Sequence, residues 1–305
     1  MNSSKVAYVG IDLLPLGARG NGARQEPRQR PAAALGEEQG SFLAQPDSQP
    51  RHSGRSAKSS DELSYIALDG DLRLLAIGRG RLADALAYVS GQASAFVAIN
   101  APRRPALGLM RQESVRQSLE PPPKPGSWLK YRVAEYQLRL PILPTPDDIS
   151  ACPGWMRRGF DLYNRLETLG YSAYPAGRDC PRQSLEVQAY ATYTGLLGQA
   201  PFPSDTLEGR LQRQLILHEL GVRVADPMDF FEDVTPHRLL RGFLPLKDIH
   251  TPDELDALAA AYTAWLAAQR AQQVNLLGAP EEGQIVVPQP GLLDVQTSGR
   301  GTKPV

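Results

Sequence analysis

Cysteine is nearly missing from this chain, with only Cys152 and Cys180 in 305 residues. That excludes a disulfide framework and a thiolate zinc cage, both of which need several cysteines at short spacing. Histidine is scarce as well. His52, His218, His237 and His250 stand far apart without ligand spacing, so they mark no zinc centre. Charge of one sign is not in excess, since Lys+Arg and Asp+Glu are both 33. A general nucleic-acid coat would be more basic, so any basic surface must be local. The N-terminal Met1-Asn2-Ser3-Ser4-Lys5 lacks the long apolar core of a signal peptide. The most apolar stretch, Ala257 to Ala268, is about half of the roughly 20 residues that span a bilayer. Phosphate-loop, dinucleotide-glycine and nucleophile-elbow motifs are absent, which leaves serine hydrolysis and nucleotide-cofactor chemistry without support. These absences predict a reduced, cytoplasmic protein with no membrane partner.

What is present is 42% apolar residues, enough for a sizeable core in one large domain or two small ones. The first apolar run, Val6-Ala7-Tyr8-Val9-Gly10-Ile11, reads as a buried strand and closes on Asp12. A carboxylate there sits where open α/β sheets bind ligands. From Gly17 to about Ser60 the chain turns to Gly, Pro, Gln, Arg and Ser with few large apolar side chains, which predicts a disordered insertion. Its arginines, from Arg19 to Arg30 and Arg51 to Lys58, read first as solvated charge and second as a polyanion contact.

Two strands then flank Asp69-Gly70 as a hairpin, Leu63 to Leu68 and Leu72 to Ile77. A helix is expected over Arg81 to Ser90, and a strand from Ala95 to Ile99 that ends at Asn100. With the insertion excised, this order predicts three antiparallel strands and a crossover to a fourth parallel to the first. Beyond Pro121-Pro122-Pro123, helices are expected at 127–140, 154–169 and 206–220, with short strands at 171–174, 184–188 and 285–287. A last long helix opens at Thr251-Pro252-Asp253-Glu254, a capping-box pattern. The expected organisation is one domain from residues 1–16 and 61–290, the insertion at 17–60, and a flexible tail at 291–305.

Six segments recur in order in domain-of-unknown-function family 429, which this chain resembles outside residues 17–60. They are Val9-Gly10-Ile11-Asp12, Ala98-Ile99-Asn100-Ala101-Pro102, Leu185-Glu186-Val187, Thr206 to Arg210 with Arg213, Glu254-Leu255-Asp256-Ala257-Leu258, and Glu282 to Pro288. The resemblance implies a ribonuclease H-like fold, a mixed β-sheet flanked by helices, and a predicted nuclease hydrolysing phosphodiesters of nucleic acid. Such chemistry uses two divalent cations about 3.5–4 Å apart, held by carboxylates that converge from distant positions. On that comparison Asp12, Glu186 and Asp256 are the catalytic candidates. The same three, with Asn100 as a neutral fourth ligand, would hold Mg²⁺ or Mn²⁺.

Asn100 departs from the family's motif, which commonly reads Ile-Asp-Ala-Pro. An amide supplies no negative charge, so the alternative is a catalytically silent ribonuclease H-like binding or regulatory protein. Glu135 or Asp69 is an alternative source of the lost charge. A phosphotransferase or small-molecule phosphohydrolase is a third possibility, without a nucleotide motif behind it. Arg210 and Arg213, three apart on one helix, read as substrate-binding groups or as an ion-pair face with Glu208 and Asp205. Arg132 and Glu135 also resemble family positions, although Glu135 and Arg139 have the spacing of an ordinary surface pair. Asp256 falls at the border of an apolar stripe formed by Leu255, Leu258, Ala259, Tyr262 and Leu266. Phe230 and Phe231 read as core packing. Oligomeric state is left undetermined by the sequence.

Overall fold

The structure is a computed structural model that describes residues 6–13, 62–124, 126–177 and 179–293. The expected insertion at 17–60 and the tail beyond Leu293 lie outside the described residues.

Strand β1 is Ala7–Asp12, buried along its whole length. It pairs antiparallel with β2, Leu63–Leu68, which pairs antiparallel with β3, Leu74–Gly80. Helix α1, Leu82–Ser90, carries the chain across to β4, Ala95–Asn100, which lies parallel to β1 with Asp12 opposite Asn100. This is the predicted meander and crossover. Short helices α2, Glu113–Gln117, and α3, Val133–Leu138, precede the long α4, Gly154–Thr168. The two-residue β5, Ser172–Ala173, flanks β6, Arg182–Glu186, which extends the sheet in parallel beside β4.

Helices α5, Ala189–Leu197, α6, Leu207–Glu219, α7, Asp229–Asp233, α8, Pro236–Leu240, and α9, Pro252–Gln269, follow. The chain then closes with β7, Val274–Leu277, and β8, Ile285–Pro288. The result is a mixed α/β fold whose eight-stranded sheet runs β3-β2-β1-β4-β6-β8-β7, with β5 beside β6. Among the described residues no helix is long and apolar enough to cross a membrane.

Side chains alternate between the two faces of a strand, and the two faces bury different helices. Tyr8, Ala98, Leu185 and Val187 join α9 and α6 in one core. Val9, Ile11, Val97 and Ile99 join α1 and α4 in the other. Helix α9 lies so close to β1 that a Cβ on Gly10 would fall 1.9 Å from the carbonyl oxygen of Ala257. Only glycine allows that approach. The stripe expected on α9 is therefore not its burial pattern, because every residue from Leu255 to Ala267 is buried. Flanked by α5, α6 and the sheet, the helix has little surface left for solvent, and Asp256 is interior.

The α9 capping box matches the sequence reading. Thr251 Oγ1 accepts from Glu254 N at 3.4 Å and Glu254 Oε2 accepts from Thr251 N at 2.8 Å. Thr251→Ala is expected to lower stability by about 1 kcal/mol in urea denaturation. An unchanged midpoint would mean that burial alone fixes the start of α9.

Four local expectations are corrected. The helix at 127–140 is broken: a 3₁₀ turn at Ser127–Lys130 and α3 are separated by extended Tyr131 and Arg132. The break turns Arg132 inward. The strand at 184–188 begins and ends two residues earlier, because Gln188 starts α5 instead. The strand expected at Leu72 to Ile77 runs instead from Leu74 to Gly80, because the turn capped by Asp69 takes in Leu72, at φ +60°, and Arg73. Helices α2, α5, α7 and α8 and strand β7 carried no expectation, being short and without clear periodicity. Phe230 is buried as expected, but Phe231 is 57% exposed.

Candidate functional site

The parallel register brings the ends of β1, β4 and β6 to one edge of the sheet, and with them Asp12, Asn100 and Glu186. All three are buried, at 2%, 1% and 3% exposure. The sheet nevertheless divides them. Asp12 lies two residues beyond Gly10 and directly opposite Asn100, so both side chains belong to the α9 face. Glu186 lies opposite Ile99, whose side chain packs on the α4 face.

On the α9 face, Asn100 Nδ2 donates to Asp12 Oδ1 at 2.8 Å. The orientation of the amide is fixed from its other end, where Asn100 Oδ1 accepts from Ala189 N at 3.0 Å. A backbone N–H can only donate, so the oxygen must face Ala189 and the NH₂ must face Asp12. Asp256, one residue before the Ala257 carbonyl that abuts Gly10, is 3% exposed and paired with Arg213 Nη1 at 3.4 Å. The Arg213 guanidinium lies 4.6 Å above the Tyr193 ring. It does not pair with Glu208 or Asp205. Arg210, expected beside it as a phosphate or ion-pair group, donates from Nε to His250 O at 2.9 Å and from Nη2 to Ile249 O at 2.7 Å. It fastens α6 to the loop before α9.

On the α4 face, Arg132 organises the floor of the edge. Its Nη1 donates to Glu186 Oε2 at 3.1 Å and its Nη2 to Glu186 Oε1, while Arg103 N adds a bond to Oε2 at 2.9 Å. Arg132 Nε and N each reach Glu135, both at 3.0 Å. Glu135 also accepts from Thr145 N and Thr145 Oγ1, so it forms no pair with Arg139, which donates to Glu120 O instead. Glu282, fully buried, accepts from Leu107 N at 2.8 Å and Val133 N at 2.9 Å. Gly283 closes the cluster. Its φ is +100°, and a Cβ there would come within 3.3 Å of both Arg132 Nη1 and Glu186 Oε2.

Burial alone would lower the Arg132 pKa, but the charges of Glu186 and Glu135 outweigh it and hold the guanidinium more firmly protonated than usual. Burial, and then the Glu186 charge, push the Tyr163 phenol well above its ordinary value. Asp69, one alternative source of a fourth charge, caps the hairpin by accepting from Asp71 N and Arg73 N, both at 2.9 Å. It follows Leu68, which pairs with Tyr8 at the start of β1, so it lies at the opposite edge of the sheet.

These residues do not fit a divalent cation as they stand. Asn100 turns hydrogens, not oxygen, toward Asp12; Glu186 is on the other face and is held by a guanidinium; Asp256 has Arg213. Among the described residues no group of three or more His, Cys, Asp or Glu is placed to hold a metal ion. What the edge does have is a cleft of about 50 Å³, partly open to solvent. Its polar floor is Asn100, Arg132, Glu135, Glu186 and Gln188, and its walls include Ile142, Leu143, Trp155 and Met156.

Arg132 and Glu135 were weighed from sequence as family positions without a place in the site, Glu282 stood only within a motif, and the apolar wall was not singled out. Comparison of the chain with protein-family models, curated proteins and solved structures finds no match.

Proposed function

We propose that this chain is a ribonuclease H-like binding or regulatory protein whose carboxyl edge works without a divalent metal. One observation carries the reading: Asn100 presents its NH₂ to Asp12, occupying with hydrogen-bond donors the place that a cation would take between two acids. The other acids have their charge met in the same internal way, Glu186 by Arg132 and Asp256 by Arg213. The ribonuclease H-like assignment is supported by the antiparallel β1-β2-β3 meander followed by β4 parallel to β1. Membership of family 429 belongs to the same proposal and rests on the six ordered motifs.

A calorimetric titration with Mn²⁺ tests it. The native protein is expected to show no binding in the micromolar range. Asn100→Asp is expected to gain it, because two carboxylates at hydrogen-bonding distance need a shared proton or a cation.

The second reading is a metal-dependent nuclease acting on nucleic acid, with Asp12, Asp256 and Glu186 around Mg²⁺ or Mn²⁺. The strand order and the placement of Asp12 at a strand end favour it. Micromolar Mn²⁺ binding by the native chain, together with cleavage of DNA or RNA that Asp12→Asn abolishes, would replace the first reading with this one.

A further inference from the structure

We propose that the cleft at the carboxyl ends of β4 and β6 takes a small planar ligand with an N–H donor beside a carbonyl acceptor, the edge of a lactam or a nucleobase. The inference deepens the metal-free reading and rests on it. The cleft opens at the carboxyl ends of β4 and β6, where open α/β sheets bind ligands.

Charge decides what the floor accepts. Arg132, the one guanidinium lining the cleft, is already spent on Glu135 and Glu186, which leaves two carboxylates for one cation. A phosphate or carboxylate would meet net negative charge there. A ligand that brings N–H donors meets acceptors.

Hydrogen-bond capacity then gives the pattern. An ionised carboxylate offers about four acceptor sites, and Glu186 uses three of them, two on Oε2 and one on Oε1. One acceptor site on Oε1 remains. Two residues on, Gln188 uses its Oε1 as the N-cap of α5, accepting from Ala191 N at 2.5 Å. That bond fixes the amide, so the NH₂ of Gln188 is the end left for the cleft it lines. An acceptor on Glu186 and a donor on Gln188 complement an adjacent N–H and C=O in one ligand plane. Trp155, with Ile142, Leu143 and Met156, offers the aromatic and apolar surface on which such a ring lies flat.

The test is calorimetric titration of the full chain with uracil, hypoxanthine and 2-pyridone to millimolar concentration, and with 1,3-dimethyluracil. The methylated ring keeps the flat face and carbonyls of uracil but has no N–H. At least one of the first three is expected to bind, and dimethyluracil is expected to bind at least about tenfold more weakly than uracil. Gln188→Ser keeps a capping oxygen for α5 while withdrawing the amide from the cleft. It is expected to lose about tenfold in affinity with little change in melting temperature, and Trp155→Leu is expected to weaken binding of every ring. No binding by any of the three probes, equal binding of dimethyluracil, or unchanged affinity in a folded Gln188→Ser protein overturns the proposal. The metal-free reading fails separately, through Mn²⁺ binding by the native chain, since that test reads Asp12, which does not line the cleft.

Discussion

Replacing Arg132 with methionine is expected to cost roughly 3–5 kcal/mol of stability at neutral pH. Methionine fills similar space without charge, so the loss comes from the carboxylates left behind. Glu186 would keep only the Arg103 N–H, and Glu135 would keep Thr145 and the residue 132 N–H. Both are only 3% exposed, so water answers little of either charge.

The pH dependence separates this cause from lost packing. In the variant two acids are buried without the cation that answers them, so adding protons relieves the folded chain more than the unfolded one and stability rises as pH falls. Urea denaturation at pH 5.5 and 7.5 is expected to show the variant gaining stability at the lower pH. The double variant Arg132→Met/Glu186→Leu is expected to recover part of the loss, because removing both partners costs less than stranding one. A loss below about 1 kcal/mol, or one that is independent of pH, would show that Arg132 is not what balances the cluster.

Gly10→Ala is expected to be as damaging, for a steric reason. The added Cβ would sit 1.9 Å from Ala257 O and 2.4 Å from Ala261 N, both backbone atoms of the buried α9. A side chain could swing aside, but a helix packed on several sides must move as a body. Overpacking of this kind costs typically 1–3 kcal/mol and more where nothing yields, so a loss of at least about 3 kcal/mol is expected. Gly70→Ala is the control, since nothing lies within 4 Å of its new Cβ. Moving α9 off β1 also displaces Asp256 from the edge that holds Asp12. An Asn100→Asp protein that has gained Mn²⁺ affinity is therefore expected to lose it again when Gly10→Ala is added, if Asp256 shares the ion. Equal stability of Gly10→Ala and Gly70→Ala would mean that the contact between α9 and β1 is slack.

Much of the architecture was legible in local pattern. The Val/Ile-rich run ending in Asp12 and the Thr251-Glu254 box each carry their instruction in a few adjacent residues, and β1 and α9 form where those residues stand; the hairpin forms too, with a longer turn and β3 starting at Leu74. Elements whose cause is distant were missed or misplaced. The break between Lys130 and Val133 exists because Arg132 must reach Glu186, 54 positions away, and no local periodicity encodes that bond. Glu135 was weighed as a surface partner of Arg139 because i,i+4 spacing is visible in sequence and burial is not.

The candidate site divides in the same way. The sequence by itself determined which acids stand at strand ends, that Asn100 lacks a charge, and that the carboxyl edge of the sheet is where they gather. Only the tertiary structure decided which face each occupies and what answers its charge. Sheet register put Asp12 with Asn100, and the alternation of side chains put Glu186 behind the sheet with Arg132. Charge compensation is a contact between parts of the chain far apart in sequence, so it exists only once β1, β4, β6, α6 and α9 have packed around these residues.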